Sequence, residues 1–299
     1  MQITSNMTPN ILSDLQQSQA ALNTALQQVA TGLSVNVPSD NPAASAAMVQ
    51  NTIETGNVDQ YTKNISTVLA SVESASSVLS NVVTSLTQAV SLGTAGANGT
   101  NTTANLQAIA AEVQGVLTTV ASQANTSVAG SYLFSGTGAS APYTTDPASA
   151  TGYTYEGNID ATSVAVGDTV SVQVNVPGSQ IFSDSSNNVL GSLSALVTAL
   201  KSGNSADIKT ATTSVSAAIA FIGEQQAFYS NAESQLNSQG TYLQQDTVTL
   251  ASQAKSLVGV DLATAATNLA QAETDNSAVL AATAKVLPTT LLNYLSAPS

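Results

Sequence analysis

Ile11-Leu-Ser-Asp-Leu-Gln-Gln-Ser-Gln-Ala-Ala-Leu-Asn-Thr-Ala-Leu-Gln-Gln-Val-Ala-Thr-Gly-Leu33 decides how the rest of the chain is read. Ile11, Leu15, Ser18, Leu22, Ala25 and Val29 recur at alternating steps of four and three, which places them on one face of an α-helix. Leu12, Gln19, Leu26 and Leu33 run alongside at intervals of seven, completing a heptad stripe. The stripe stops at Thr31-Gly32, and Val37-Pro-Ser-Asp-Asn-Pro42 reads as a loop. Asp40 or Asn41 is placed to cap a second helix, with Pro42 in its first turn.

Outward from this stretch the same rhythm returns. Ile65, Val68, Val72, Ala75, Leu79, Val82, Leu86 and Ala89 predict a helix, and the glycines between Gly93 and Thr100 are expected to break it. Leu106, Ile109, Val113, Val116, Val120 and Ala124 start another, antiparallel to the first if the loop is tight. Residues 130–182 change character, holding Tyr132, Phe134, Tyr143, Tyr153, Tyr155 and Phe182. Val164 and Val166, then Gly167-Asp168, then Val170, Val172, Val174 and Val176 show the strand period and predict a hairpin. From Ile208 to Leu257 the helical pattern resumes as one long helix, or as two divided near Gly240. A last segment repeats Leu262, Ala265, Leu269, Ala272, Val279 and Val286, and Pro288 is expected to end or kink it.

The fold class expected is therefore mainly α with a β-rich insertion: a long antiparallel coiled-coil helical bundle formed by the N- and C-terminal halves, with a small β domain in the middle. Residues 1–42 form a terminal assembly helix that pairs with 258–299; residues 43–128 and 190–257 form a helical rod; residues 129–189 form the β-rich outer domain.

Composition narrows the function classes. The 299 residues include no Cys, no His and no Trp, and the five basic residues are all lysines, Lys63, Lys201, Lys209, Lys255 and Lys285. Without Cys or His, zinc, copper, haem and iron–sulfur centres lose their usual ligands. Ser-His-Asp and Cys-His catalysis are excluded for the same reason. A net charge of −13 opposes nucleic-acid binding, which requires Lys and Arg against phosphate. Charged residues make up 8%, against roughly 25% in an average protein, so the surface is wetted by neutral polar groups. The first ten residues lack the basic and apolar regions of a secretory signal peptide, and no apolar run is long enough to span a membrane. The acids between Asp146 and Asp184 lack calcium-loop spacing and read as a solvated face. Tyr153 and Tyr155 read as packing residues, and the triplets Asn64-Ile-Ser and Asn98-Gly-Thr fit glycosylation acceptors no better than chance. No catalytic, cofactor or metal site is expected.

Asp14 and Asp40 are the only charges in residues 1–45, which is few for a solvated outer helix. Set against the entropy of ordering it, the apolar side chains and hydrogen bonds of this helix leave an isolated copy marginal. It needs the other terminus or a neighbouring subunit. The expected assembly surface is Ile11, Leu12, Leu15, Leu22, Leu26, Val29 and Leu33 on one terminus and Leu262, Leu269, Val279, Leu291, Leu292 and Leu295 on the other.

The stretch Leu22 to Ala44, with its helix, Thr-Gly pair and Pro-Ser-Asp-Asn-Pro loop, resembles the N-terminal segment of bacterial flagellin-type proteins. Val260-Asp-Leu-Ala-Thr-Ala-Ala-Thr-Asn-Leu269 and Leu291-Leu-Asn-Tyr-Leu295 are similar to the matching C-terminal segment. Gly130-Ser-Tyr-Leu-Phe-Ser-Gly-Thr137, Tyr155-Glu-Gly-Asn158, Val166-Gly-Asp-Thr-Val-Ser-Val172 and Gln180-Ile-Phe182 resemble the hook–filament junction branch of that family, the third hook-associated proteins. The resemblance implies a non-enzymatic structural subunit of the extracellular flagellum, exported by the flagellar type III apparatus without a cleaved signal peptide. It implies as partners further copies in a ring, the first hook-associated protein, flagellin and a cytoplasmic export chaperone. Filament flagellin is the alternative within the family, and a secreted binding protein or hydrolase on a helical stem the alternative outside it.

Overall fold

A computed structural model of the protein describes the backbone of residues 7–295 and the side chains of residues 12–285. The elements run α1 (Met7–Thr31), α2 (Pro42–Gly96), α3 (Thr103–Ala124), β1 (Ser127–Val128), β2 (Ser131–Tyr132), β3 (Tyr143–Thr145), β4 (Tyr153–Tyr155), β5 (Ser163–Ala165), β6 (Ser171–Gln173), α4 (Gly178–Ile181), α5 (Val189–Ser202), α6 (Ser205–Val258) and α7 (Leu262–Leu295). The fold is mainly helical, with N- and C-terminal helices that pack together and a small antiparallel β insertion in the middle. Two compact units are formed: one from the described residues up to Asn57 and from Gln245 onward, the other from Val58–Gln244.

Local chemistry sets the helix ends. α1 stops where Gly32 takes a left-handed φ of 71° and donates its N–H to the Gln28 carbonyl at 2.9 Å. α2 starts at Pro42, with Asn41 Oδ1 accepting the Ala44 N–H at 3.1 Å, so Asn41 is the cap. Asp40 Oδ2 accepts the Asn36 and Val37 N–H groups and closes the preceding loop instead. Gly93 and Gly96 lie inside α2, and the break falls after them. A Cβ at Gly93 would collide with Thr212 Oγ1, so this glycine serves close packing of α2 on α6. α6 passes Gly240 as one helix of 54 residues. α7 likewise continues past Pro288 to Leu295.

In the unit of residues 58–244, Val72, Ala75, Leu79, Val82, Leu86 and Ala89 of α2 are almost fully buried. They face an equally periodic row on α6 that includes Ile208, Val215, Ile222, Tyr229 and Leu236. Ser205 Oγ donates to the Ala97 carbonyl and Gln226 Nε2 to the Ser76 carbonyl, while Gly240 lies against Ile65. The partners step in opposite directions, so α2 and α6 are antiparallel. α3 packs on α5, and together they cover the Gly96 end of this pair through Leu106, Leu196 and Leu200.

The β-rich middle is three separate two-stranded antiparallel hairpins, β1–β2, β3–β4 and β5–β6. Pairs this short are not stable alone. An aromatic cluster holds two of them. Phe134 meets Phe182 edge-on at 5.2 Å, Tyr143 meets Phe182 at 6.1 Å, and Tyr155 tilts against Tyr143 at 5.3 Å. The Tyr143 hydroxyl donates to the Gly178 carbonyl at 2.8 Å and burial pushes its pKa far up. Tyr155 donates to the Phe134 and Asn158 carbonyls, and Asn158 Oδ1 accepts the Thr137 N–H. The segments Gly130–Thr137, Tyr155–Asn158 and Gln180–Phe182 therefore converge on one small core. The third hairpin, β5–β6, is fastened to α2: Asn64 Nδ2 donates to the Ala165 carbonyl and the Tyr61 hydroxyl to Asp168 Oδ1.

Candidate functional site: the paired terminal helices

α1 and α7 run antiparallel against each other. Leu33 bridges to Gly259 at one end of the seam, and Ser18 meets Asn276 further along it. On α1, Leu15, Ser18, Leu22, Ala25 and Val29 are buried or half-buried, which is the 4-3 row read from the sequence. On α7 the matching row is Ala265, Leu269, Ala272, Asn276 and Val279. Alanine at Ala25, Ala265 and Ala272 lets the backbones approach, and only Ala25 and Ala265 of these two rows fall below a tenth exposed.

A clasp of backbone bonds closes the seam beside the α1–α2 loop. Ser34 N–H donates to the Val258 carbonyl at 2.7 Å and Val260 N–H to the Gly32 carbonyl at 3.0 Å. Ser34 Oγ donates to the same Val258 carbonyl. Two short extended pieces thus pair between helix ends, and the turn from α6 into α7 is held against the turn from α1 into α2. Asp261 caps α7. Its Oδ2 accepts the Thr264 hydroxyl at 2.9 Å, and the Ala263 and Thr264 N–H groups reach its carboxylate. The Thr264 hydroxyl, followed by those two N–H groups, holds the Asp261 carboxyl below its ordinary pKa.

The other heptad row is left over. Leu12 is 58% exposed, Leu26 46% and Leu33 37%, and Leu262 on α7 is 60% exposed. Among the residues expected to form the assembly surface, Leu15, Leu22, Val29, Leu269 and Val279 thus lie in the α1–α7 seam, whereas Leu12, Leu26, Leu33 and Leu262 point to solvent. Ile11, Leu291, Leu292 and Leu295 have helical backbone, and their side chains lie outside the described residues. Leu33 also borders an open apolar groove of about 420 Å³, lined among others by Val35, Val37, Met48, Val49, Ile53 and Val258. Sequence reasoning did not single out this groove or the clasp. The alternation Leu33-Ser-Val-Asn-Val37 after Gly32 is the strand-like signal that points to them.

The described ends pair along α1 and α7, a separate helical unit carries the β insertion, and comparison with known proteins places this fold. Residues 3–139, a little under half of the chain, match the model of the bacterial flagellin N-terminal helical region. A protein of Vibrio parahaemolyticus described as flagellar hook-associated shares the fold at a TM-score of 0.67 and 22% identity, over 74% of this chain and 100% of its own. Bacillus cereus FlgL matches at a TM-score of 0.59 and 22% identity, over 69% and 99%. The flagellar junction protein FlgL of Legionella pneumophila matches at 0.60 and 14%, over 71% and 100%. No curated protein sequence matches this chain. The resemblance first carried by sequence motifs thus holds at the level of the fold. Among the described residues, no helix is long and apolar enough to cross a membrane.

Proposed function

We propose that this protein is a non-catalytic structural subunit of the extracellular bacterial flagellum that joins the hook, through the first hook-associated protein, to the filament. The observation that carries this reading is the second heptad row of α1. The α1–α7 pair uses one row for itself and leaves Leu12 and Leu26 exposed in one heptad register on α1, with Leu33 exposed just beyond the helix end. Leu262 and the groove beside Leu33 extend the same apolar surface. The shared fold of the hook-associated and junction proteins favours a flagellar role over other helical assemblies.

On this reading residues 1–42 and 258–299 build the subunit contacts, the helices of 43–128 and 190–257 form the rigid rod, and 129–189 is the outer domain. The partners are other copies in a ring, the first hook-associated protein and flagellin. A cytoplasmic chaperone escorts the chain to the flagellar type III export apparatus. The alternative within the same architecture is filament flagellin. Incubating the purified chain with filament seeds separates the two: a short, capped assembly supports the junction, and unlimited self-polymerisation replaces it with flagellin. A specific ligand or hydrolytic activity in the full chain, lost on altering residues 129–189, overturns both in favour of a secreted binding protein or hydrolase on a helical stem.

A further inference from the structure

The triplet Asn98-Gly99-Thr100 has no part in the assembly reading, yet it sits in a geometry with a chemistry of its own. It occupies the exposed turn between α2 and α3, closed by the Asn101 N–H donating to the Asn98 carbonyl at 3.2 Å. We propose that Asn98–Gly99 is a self-modifying site, at which the backbone nitrogen of Gly99 attacks the side chain of Asn98 and converts it, through a succinimide, to aspartate or isoaspartate.

Three features of the turn supply the parts of this reaction. The first is the nucleophile. Among the described residues nothing accepts the Gly99 N–H, and nothing lies within 4 Å of the place a Cβ would take, so solvent base can reach the proton and the nitrogen can approach. The second is the electrophile. Asn98 Oδ1 accepts the Thr100 N–H at 3.3 Å and the Thr100 hydroxyl at 3.1 Å. Both donors aim at the oxygen on which negative charge develops when Cγ is attacked, which is the arrangement of an oxyanion hole. The third is charge. Asn98 and Lys209 line the same open depression with Thr94, Ala97, Thr212 and Thr213, and a positive charge carried by a residue of that lining favours the oxyanion and then the product carboxylate.

The balance is closed by water alone. Gly99 nitrogen loses its proton to solvent and bonds to Asn98 Cγ. The Cγ–Nδ2 bond breaks and Nδ2 leaves as ammonia; no described group accepts a hydrogen bond from it. Water then opens the ring. Addition at Cγ restores the normal backbone with an aspartate side chain. Addition at the main-chain carbonyl carbon routes the backbone through the side chain and gives isoaspartate. Nothing is oxidised or reduced. Either product adds one negative charge to a chain of net −13. The two products differ for the fold. Aspartate keeps the turn and presents its charge just before α3, whose first turn has no acidic residue. Isoaspartate lengthens the backbone and displaces the turn in which Asn101 Nδ2 caps the Ala95 and Gly96 carbonyls at the end of α2.

The test is to incubate the full-length chain at mildly alkaline pH and follow the amide-to-acid mass gain peptide by peptide, with ammonia release as a second readout. Conversion at Asn98 is expected well ahead of Asn237 and Asn276, whose following residues are inside helices. Gly99→Ala, which meets open space and no left-handed backbone, is expected to fold normally and slow the reaction by crowding the nucleophile. Thr100→Val is expected to slow it roughly 2- to 10-fold, the factor that one net hydrogen bond supplies, and Thr100→Ser to restore it. Conversion at Asn98 no faster than at Asn237, or a rate indifferent to both Gly99→Ala and Thr100→Val in folded protein, overturns the proposal.

Discussion

Asn276 Nδ2 on α7 donates to Ser18 Oγ on α1 at 3.2 Å, a polar step within rows otherwise built from Leu15, Leu22, Ala25 and Val29 on α1 and Ala265, Leu269, Ala272 and Val279 on α7. A single polar pair in a heptad seam selects one register, because any slip leaves both groups against apolar neighbours. Asn276→Leu is therefore expected to stabilise the α1–α7 pair while loosening its register. The chain has no cysteine, so Ala25→Cys with Asn268→Cys gives a clean cross-link reporter. High cross-linking yield that falls in the Asn276→Leu background supports the register role; equal yield in both rejects it.

Burial differs sharply between the helices, and exchange is expected to follow it. α1 has Ala25 as its one buried apolar residue among those described, whereas α2 buries Val72, Ala75, Leu79, Val82, Leu86 and Ala89. In dilute monomer, amides of residues 12–31 should exchange well before those of 72–89. Leu79→Ala is expected to cost about 2–5 kcal/mol by chemical denaturation. Leu26→Ala should cost within about 0.5 kcal/mol. Equal protection of the two segments would show that the terminal pair folds without a partner.

The exposed row is expected to matter for assembly and not for folding. Leu12→Asp with Leu26→Asp places charges at positions already 58% and 46% exposed, so the circular dichroism melt should stay close to the unaltered chain. Incorporation onto filament seeds should be lost. Full incorporation by this variant removes the row from the subunit interface.

Asp261 makes the start of α7 acid-sensitive. Its carboxyl is held below the ordinary 3.8 by the Thr264 hydroxyl and the Ala263 and Thr264 N–H groups. A depressed folded-state pKa stabilises the cap above the ordinary carboxylate value, and that stabilisation disappears as pH falls through the depressed one. Amide exchange at Ala263 and Thr264, corrected for intrinsic rates, should show extra opening only in that acidic window. Asp261→Asn, which caps without titrating, should flatten the dependence; an unchanged acid profile in the variant assigns it to another group.

Like charge sets a salt dependence for assembly. On the proposed function, copies of net −13 repel one another as they assemble, and the Debye length grows to about 30 Å at 0.01 M ionic strength. Light scattering from seeded assembly should therefore fall as salt is removed. A rise would mean that attractive contacts between opposite charges dominate the interface.

The helical periodicity was legible because an amphipathic helix writes its buried face into the sequence at every turn. Leu79 and Leu86 are buried where their spacing places them, and the strand alternation found the β5–β6 hairpin. Punctuation was harder to read. Gly93, Gly240 and Pro288 each look like breaks, yet all three lie inside helices. Gly93 does so because α6 packs too closely to admit a Cβ. The clasp from Ser34 to Val258 joins residues far apart in sequence through backbone groups, which carry no residue-specific signal.

Composition, the heptad rows and the glycine-marked turns determined by themselves that this is a helical chain with a β insertion, without cysteine or histidine chemistry, and with two apolar rows on α1. Which row serves the chain's own α7 and which stays exposed was decided only in the tertiary structure. A heptad repeat states that a face is apolar, not what covers it; burial of Ala25 and exposure of Leu12 and Leu26 depend on where α7 lies. That position follows from the Leu33–Gly259 bridge and the Ser18–Asn276 contact, neither of which is written in any local stretch of the sequence.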